Sequence, residues 1–121
     1  MAQKKRILCV DDNEDICEML VLNFHSPDVE AASTMSVSEA LKLVEKEKFD
    51  LYVLDLTLRA AKDEPLCEAI RDRDKATPIV IFSGKSDDRD RLAALSAGAS
   101  AYVLKPHFDE LTRTVRELLY N

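Results

Sequence analysis

Four short runs of the chain are apolar throughout: "ILCV" at 7–10, "LYVL" at 51–54, "IVIF" at 79–82 and "AYVL" at 101–104. None alternates between apolar and polar, so each reads as a strand covered on both faces, as in a parallel sheet. A weaker run, "VEAAS" at 29–33, includes Glu30 and suits an edge strand, where one side tolerates charge. Between the runs lie five segments with apolar residues three, four and seven apart. The first carries Ile16, Met19, Leu20 and Phe24, and the second Val37, Ala40, Leu41 and Val44. The third carries Leu66 and Ile70, and the fourth Leu92 and Leu95. The fifth carries Phe108, Leu111, Val115, Leu118 and Leu119. Each set predicts one apolar stripe on a helix. Asn13, Ser36 or Ser38, and Asp63 ahead of Pro65 are the expected helix starts, and Gly98 after "LAALSA" is a left-handed stop. The mixed-sign stretches "EKEK", "RDRDK" and "KSDDRDR" read as solvated helix ends and loops.

Strand then helix, five times over, predicts one α/β domain across residues 1–121. Right-handed crossovers make it an open, twisted parallel sheet with helices on both faces. A chain of 121 residues with 46% hydrophobic content can bury a real core. The formal charge of −6, with no basic patch, argues against direct nucleic-acid binding. Cys9, Cys17 and Cys67 are unclustered and read as reduced core or helix thiols, not as a zinc site or a disulfide frame. No stretch approaches the roughly 20 apolar residues that span a bilayer. A cytoplasmic domain without membrane contact is therefore expected.

Ligands of such sheets sit at the carboxyl ends of the strands. Asp11 and Asp12 follow the first run, Asp55 the run at 51–54, Ser83 the run at 79–82, and Lys105 the run at 101–104. Crowded carboxylates repel one another, so solvent, a lysine, a helix N-terminus or a metal ion must offset the charge. Glu14 and Asp15 fall in the first helical turn, where negative charge favours the helix dipole. Carboxylate oxygens suit a hard cation such as Mg²⁺. A carboxylate can also attack phosphorus to give an aspartyl phosphate, with metal and lysine reducing the repulsion between anions.

The ordered set "VDDNED", "LYVLDL", "PIVIFSG" and "GASAYVLKP" resembles the receiver domain of bacterial two-component response regulators along essentially the whole chain. The resemblance implies a (βα)5, flavodoxin-like fold with strand order 2-1-3-4-5. It implies that Asp55 is the phosphoacceptor and that Asp12 ligates Mg²⁺, with Asp11 assisting through water and the Thr57 carbonyl completing the set. Ser83 becomes the switch hydroxyl, Lys105 the phosphoryl partner before a cis Lys105–Pro106 bond, and Tyr102 the switch aromatic. The implied partners are a histidine kinase or phosphotransfer protein and a downstream output protein or domain, with a homodimer as a further option. Thr57 and Lys85 would flank the phosphate and govern water access.

The family's Met-Pro and glycine after the phosphoacceptor are missing from "DLTLRAAKDEPLCEAIR", which puts that loop's shape in question. Two rival functions fit less of the sequence. A dehalogenase-type phosphohydrolase would need a second aspartate after Asp55, and the sequence has Thr57 there. A receiver fold acting without phosphate, by dimerising or docking, would not need all five site residues. An EF-hand loop fails because Ile16 stands where its glycine belongs.

Overall fold

The computed structural model describes residues 3–120. Five strands, β1 (Lys5–Val10), β2 (Val29–Thr34), β3 (Leu51–Leu54), β4 (Ile79–Ser83) and β5 (Ala101–Leu104), form one parallel sheet in the order β2-β1-β3-β4-β5. The helices are α1 (Glu14–Phe24), α2 (Val37–Lys46), α3 (Leu66–Arg73), α4 (Asp88–Ser96) and α5 (Phe108–Tyr120). Alternate strand residues face opposite cores, which is why the runs are apolar throughout. Leu8, Val10, Tyr52, Leu54 and Ile81 pack with Ala40, Val44, Leu66 and Ile70 of α2 and α3. Ile7, Cys9, Val53, Val80 and Phe82 pack with Leu20 and Phe24 of α1 and with Leu111, Val115 and Leu119 of α5.

Asn13 caps α1 by accepting from the Ile16 N–H, and Ser36, not Ser38, caps α2 by accepting from Glu39. Gly98 takes φ +109°, as a left-handed stop requires. Three expectations are corrected. Met19 is 47% exposed, because Cys17, Leu20 and Phe24 form the buried stripe of α1. Leu92 and Leu95 are 62% and 38% exposed, and Ala94 is the residue that α4 buries. Asp63 does not start α3. Pro65 holds the cap position without a side-chain bond, and Asp63 ends a single 3-10 turn, Ala61–Asp63.

That turn sits inside a miniature hairpin formed by the loop after Asp55. The Leu66 N–H donates to the Leu58 carbonyl at 3.0 Å, and the Ala60 N–H to the Glu64 carbonyl at 2.7 Å. With no glycine available, Lys62 and Asp63 both adopt φ +61°, a left-handed conformation disfavoured for side chains with a Cβ.

The stretch "RDRDK" is not simply solvated. Arg71 donates to the carbonyls of Gly98 (3.0 Å), Asp74 (3.2 Å) and Thr77 (2.6 Å), joining α3 to the turns before β4 and β5. The buried Tyr52 hydroxyl donates to Asp74 at 2.8 Å. Burial opposes ionisation of Asp74, but bonds from the Thr77 and Tyr52 hydroxyls and from the Thr77 and Ala76 N–H groups outweigh it. They hold the carboxyl down at about 2. Because the folded value is depressed, this contribution to stability is complete above the unfolded carboxyl's ~3.9. It is lost as the pH falls towards about 2. Tyr52→Phe should lower stability by about 1 kcal/mol at neutral pH. The variant should also show a shallower acid limb in urea unfolding measured as a function of pH; an unchanged acid limb would remove Asp74 from the account.

Candidate functional site

Ladder bonds carry the chain past each inner strand and so set where its next side chain stands. The Asp11 N–H donates to Thr34 (3.3 Å), the Asp55 N–H to Val10 (3.1 Å) and the Lys105 N–H to Ser83 (2.8 Å), each to a backbone carbonyl. Asp11, Asp55 and Lys105 are thereby brought to one edge of the sheet. Asp11, Asp55 and Ser83 are buried there, while Asp12 is exposed.

Lys105 Nζ donates to Asp11 Oδ2 at 2.7 Å and to Asp55 Oδ2 at 3.4 Å. Burial disfavours its ammonium, but the bond to Asp11 and the charge of Asp55 prevail, so its pKa lies above the ordinary lysine value. The other oxygens are also directed. Asp11 Oδ1 accepts from the Asn13 N–H (2.9 Å), and Asp55 Oδ1 from the Thr57 N–H (3.2 Å). The Lys105–Pro106 bond is cis.

Among the described residues, Asp11, Asp12 and Asp55 form one trio of acids whose ligand oxygens lie within 4.8 Å of one another. Three hard oxygen donors at that spacing fit a divalent cation of the Mg²⁺ class. One ammonium is present against three carboxylates, so the pocket remains anionic and a dication would complete its charge balance.

Ser83 Oγ accepts from the Lys85 N–H at 3.1 Å, and the Tyr102 hydroxyl donates to the Lys85 carbonyl at 2.8 Å. Ser83 and Tyr102 therefore meet through the backbone of one residue. Lys85 and Thr57 also line, with Asp55, a cavity of about 340 Å³. Sequence reasoning missed two contributors. Cys17 Sγ donates to the Asp11 carbonyl at 3.3 Å and backs the acidic turn, while burial and the charge of Asp11 hold the thiol above its ordinary value. Asp90, which the sequence placed in a solvated stretch, lines the cavity. A thiol on the buried stripe of α1 carries no signal distinguishing it from a core residue. Asp90 likewise stands among charges of both signs.

Fold and site together define a doubly wound α/β protein with an acid-lysine pocket at the carboxyl ends of its strands. The family model "Response regulator receiver domain" matches residues 7–116, and the chain belongs to that family. It is 34% identical over 102 residues to the alkaline phosphatase synthesis transcriptional regulatory protein PhoP of Bacillus subtilis, covering 84% of this chain and 42% of that protein. It is 35% identical over 103 residues to the DNA-binding response regulator MtrA of Mycolicibacterium smegmatis, covering 85% and 45%. The chain thus spans less than half the length of these curated relatives. Among solved structures, the non-phosphorylated HemR receiver domain of Leptospira biflexa superposes with a TM-score of 0.84 at 29% identity, covering 98% of this chain and 96% of that one. Among the described residues, no helix is long and apolar enough to cross a membrane.

Proposed function

We propose that this receiver domain is a phosphorylation-controlled signalling switch in a two-component phosphorelay. The observation that carries the reading is the convergence of Asp55, the two further acids and Lys105 on one pocket. A carboxylate oxygen of Asp55 attacks phosphorus, and the P–N bond of a donor phosphohistidine breaks. Its electron pair returns to the imidazole nitrogen, which takes up a proton. Asp11, Asp12 and Asp55, with the Thr57 carbonyl, would hold Mg²⁺, which when bound supplies positive charge to the phosphoryl oxygens. Lys105, already on the Asp55 carboxylate, then pairs with a phosphoryl oxygen. The chain accepts one group and turns over no separate substrate.

The change is passed on through Lys85. When the Ser83 hydroxyl turns to the phosphoryl group it releases the Lys85 N–H, and the carbonyl of the same residue is held by Tyr102. The loop between β4 and α4 thus couples the phosphate to the surface that binds an output protein, an output domain or a second copy. A histidine kinase or phosphotransfer protein is the expected donor.

Asp55→Asn should abolish labelling by acetyl phosphate in the presence of Mg²⁺, read by intact-protein mass spectrometry, while the wild-type chain gains one phosphoryl group that chelation of the metal prevents. Labelling retained in Asp55→Asn would move the acceptor elsewhere. A wild-type chain that takes no label would favour phosphate-independent docking.

A further inference from the structure

We propose that the Cys17 thiol is the positioning group for Asp12: by holding the Asp11 carbonyl it fixes the peptide plane that delivers the Asp12 carboxylate to the cation site. The proposal rests on the reading of Asp11, Asp12 and Asp55 as cation ligands.

The three acids are not equally anchored. Asp55 is fixed by the ladder bond from its own N–H, and both of its carboxylate oxygens accept hydrogen bonds, one from the Thr57 N–H and one from Lys105. Asp11 is tied in the same way, through its N–H to Thr34, through Oδ1 to the Asn13 N–H and through Oδ2 to Lys105. Asp12 lies between the end of β1 and the cap of α1. It is exposed, and among the described residues its carboxylate enters no ion pair. Yet its oxygen stands within 4.8 Å of those of Asp11 and Asp55. The backbone, not a partner of its own side chain, therefore places it.

That backbone is held from one side by a single group. The Asp11 carbonyl and the Asp12 N–H belong to one planar peptide unit, so fixing the carbonyl fixes the plane from which Asp12 departs. Asp11 is 2% exposed, so its carbonyl needs an internal donor, and among the described residues no backbone N–H serves it. Cys17 Sγ supplies the bond at 3.3 Å. The same sulfur lies 3.9 Å from the Thr34 carbonyl, the oxygen that accepts the Asp11 N–H. The thiol thus sits where the chain leaving β1 meets the end of β2.

The donor is itself well held. Cys17 stands in the first turn of α1, where its N–H donates to the Asn13 carbonyl at 3.1 Å. It is 5% exposed, on the stripe that it shares with Leu20 and Phe24, so water cannot take the place of a lost thiol. A thiol also adds no charge at neutral pH. A cation in its place would orient the carbonyl while cancelling part of the negative charge that attracts a dication. Groups that stand behind metal ligands in this way change metal affinity by about ten- to a hundredfold when they are removed.

The test measures the Mg²⁺ affinity of the full chain, from amide NMR shifts during titration with MgCl₂ at constant ionic strength. The shifts report on folded molecules, so a loss of stability does not enter the affinity. Cys17→Ala and Cys17→Val both lack the donor, but valine fills the space that alanine leaves. Both should bind Mg²⁺ about tenfold more weakly than the wild type. Val115→Ala, which trims the same core from α5, should bind as the wild type does. Unchanged affinity in both Cys17 variants overturns the proposal and leaves the cation site standing. Wild-type affinity in Cys17→Val alone, or an equal loss in Val115→Ala, assigns the effect to packing and also overturns it. A wild-type chain that binds no Mg²⁺ removes the proposal together with the reading of the three acids.

Discussion

Lys105→Met should lower the stability of the metal-free protein by about 3 kcal/mol, the loss typical of removing one partner of a buried ion pair. Asp11 is 2% exposed, and its Oδ2 receives the ammonium at 2.7 Å. Asp55 shares the same ammonium at 3.4 Å, and Asp12 brings a third carboxylate within 4.8 Å. Without Lys105 this cluster keeps its negative charge and loses its one cation, while methionine keeps an unbranched, uncharged side chain at the position where Nζ lies 5.9 Å from the Phe82 ring centroid. Urea unfolding with a chelator present measures the loss. Added Mg²⁺ should then restore more stability to the variant than it adds to the wild type, because the dication supplies the missing charge where repulsion is greatest. A variant that unfolds at the wild-type urea concentration, with or without Mg²⁺, would show that the three acids do not feel one another.

The same cluster shows why the site was legible in the sequence. A strand covered on both faces must be apolar along its whole length, so its end is marked by the first residue that cannot be buried alone. Asp11, Asp55 and Lys105 are marked in that way, and the ladder bonds from their own N–H groups confirm how directly strand ends position them. The fold was legible for the same reason: β1, β3, β4 and β5 each contain an uninterrupted apolar run of four residues, and β2 carries its charge at Glu30, on the sheet's edge.

What stayed hidden depends on which of several equivalent groups meets a distant backbone. Periodicity gave α4 a leucine stripe, yet a nine-residue helix rich in alanine and charge has little apolar weight with which to fix its rotation. The structure turns Ala94 inward instead. Within "RDRDK", composition cannot tell that Arg71 and Asp74 bind backbone and a buried tyrosine while Asp72 and Lys75 stand exposed. The loop after Asp55 departs from the family pattern in its sequence, but its closure into a hairpin with two left-handed residues depends on the pairing of Leu58 with Leu66, which neither side chain signals.

Gly98→Ala should be the most damaging small substitution outside the acid pocket, lowering stability on the order of 3 kcal/mol. About 1–2 kcal/mol of that is backbone strain, since at φ +109° a side chain is disfavoured whatever the space. The rest comes from Arg71. A Cβ at position 98 would lie 2.7 Å from Arg71 Cγ, closer than real contacts allow, and a tight 3.0 Å from Nε. Cγ lies near the root of a side chain whose guanidinium is tied to three carbonyls, so it cannot yield without loosening those bonds. The two contributions are separable. In an Arg71→Ala background the clash disappears, and Gly98→Ala should then show only its backbone part, leaving a coupling of roughly 1–2 kcal/mol in the double-mutant cycle. Strict additivity would mean that Arg71 moves aside freely. The joint between α3 and the turn before β5 would then be softer than its hydrogen bonds imply.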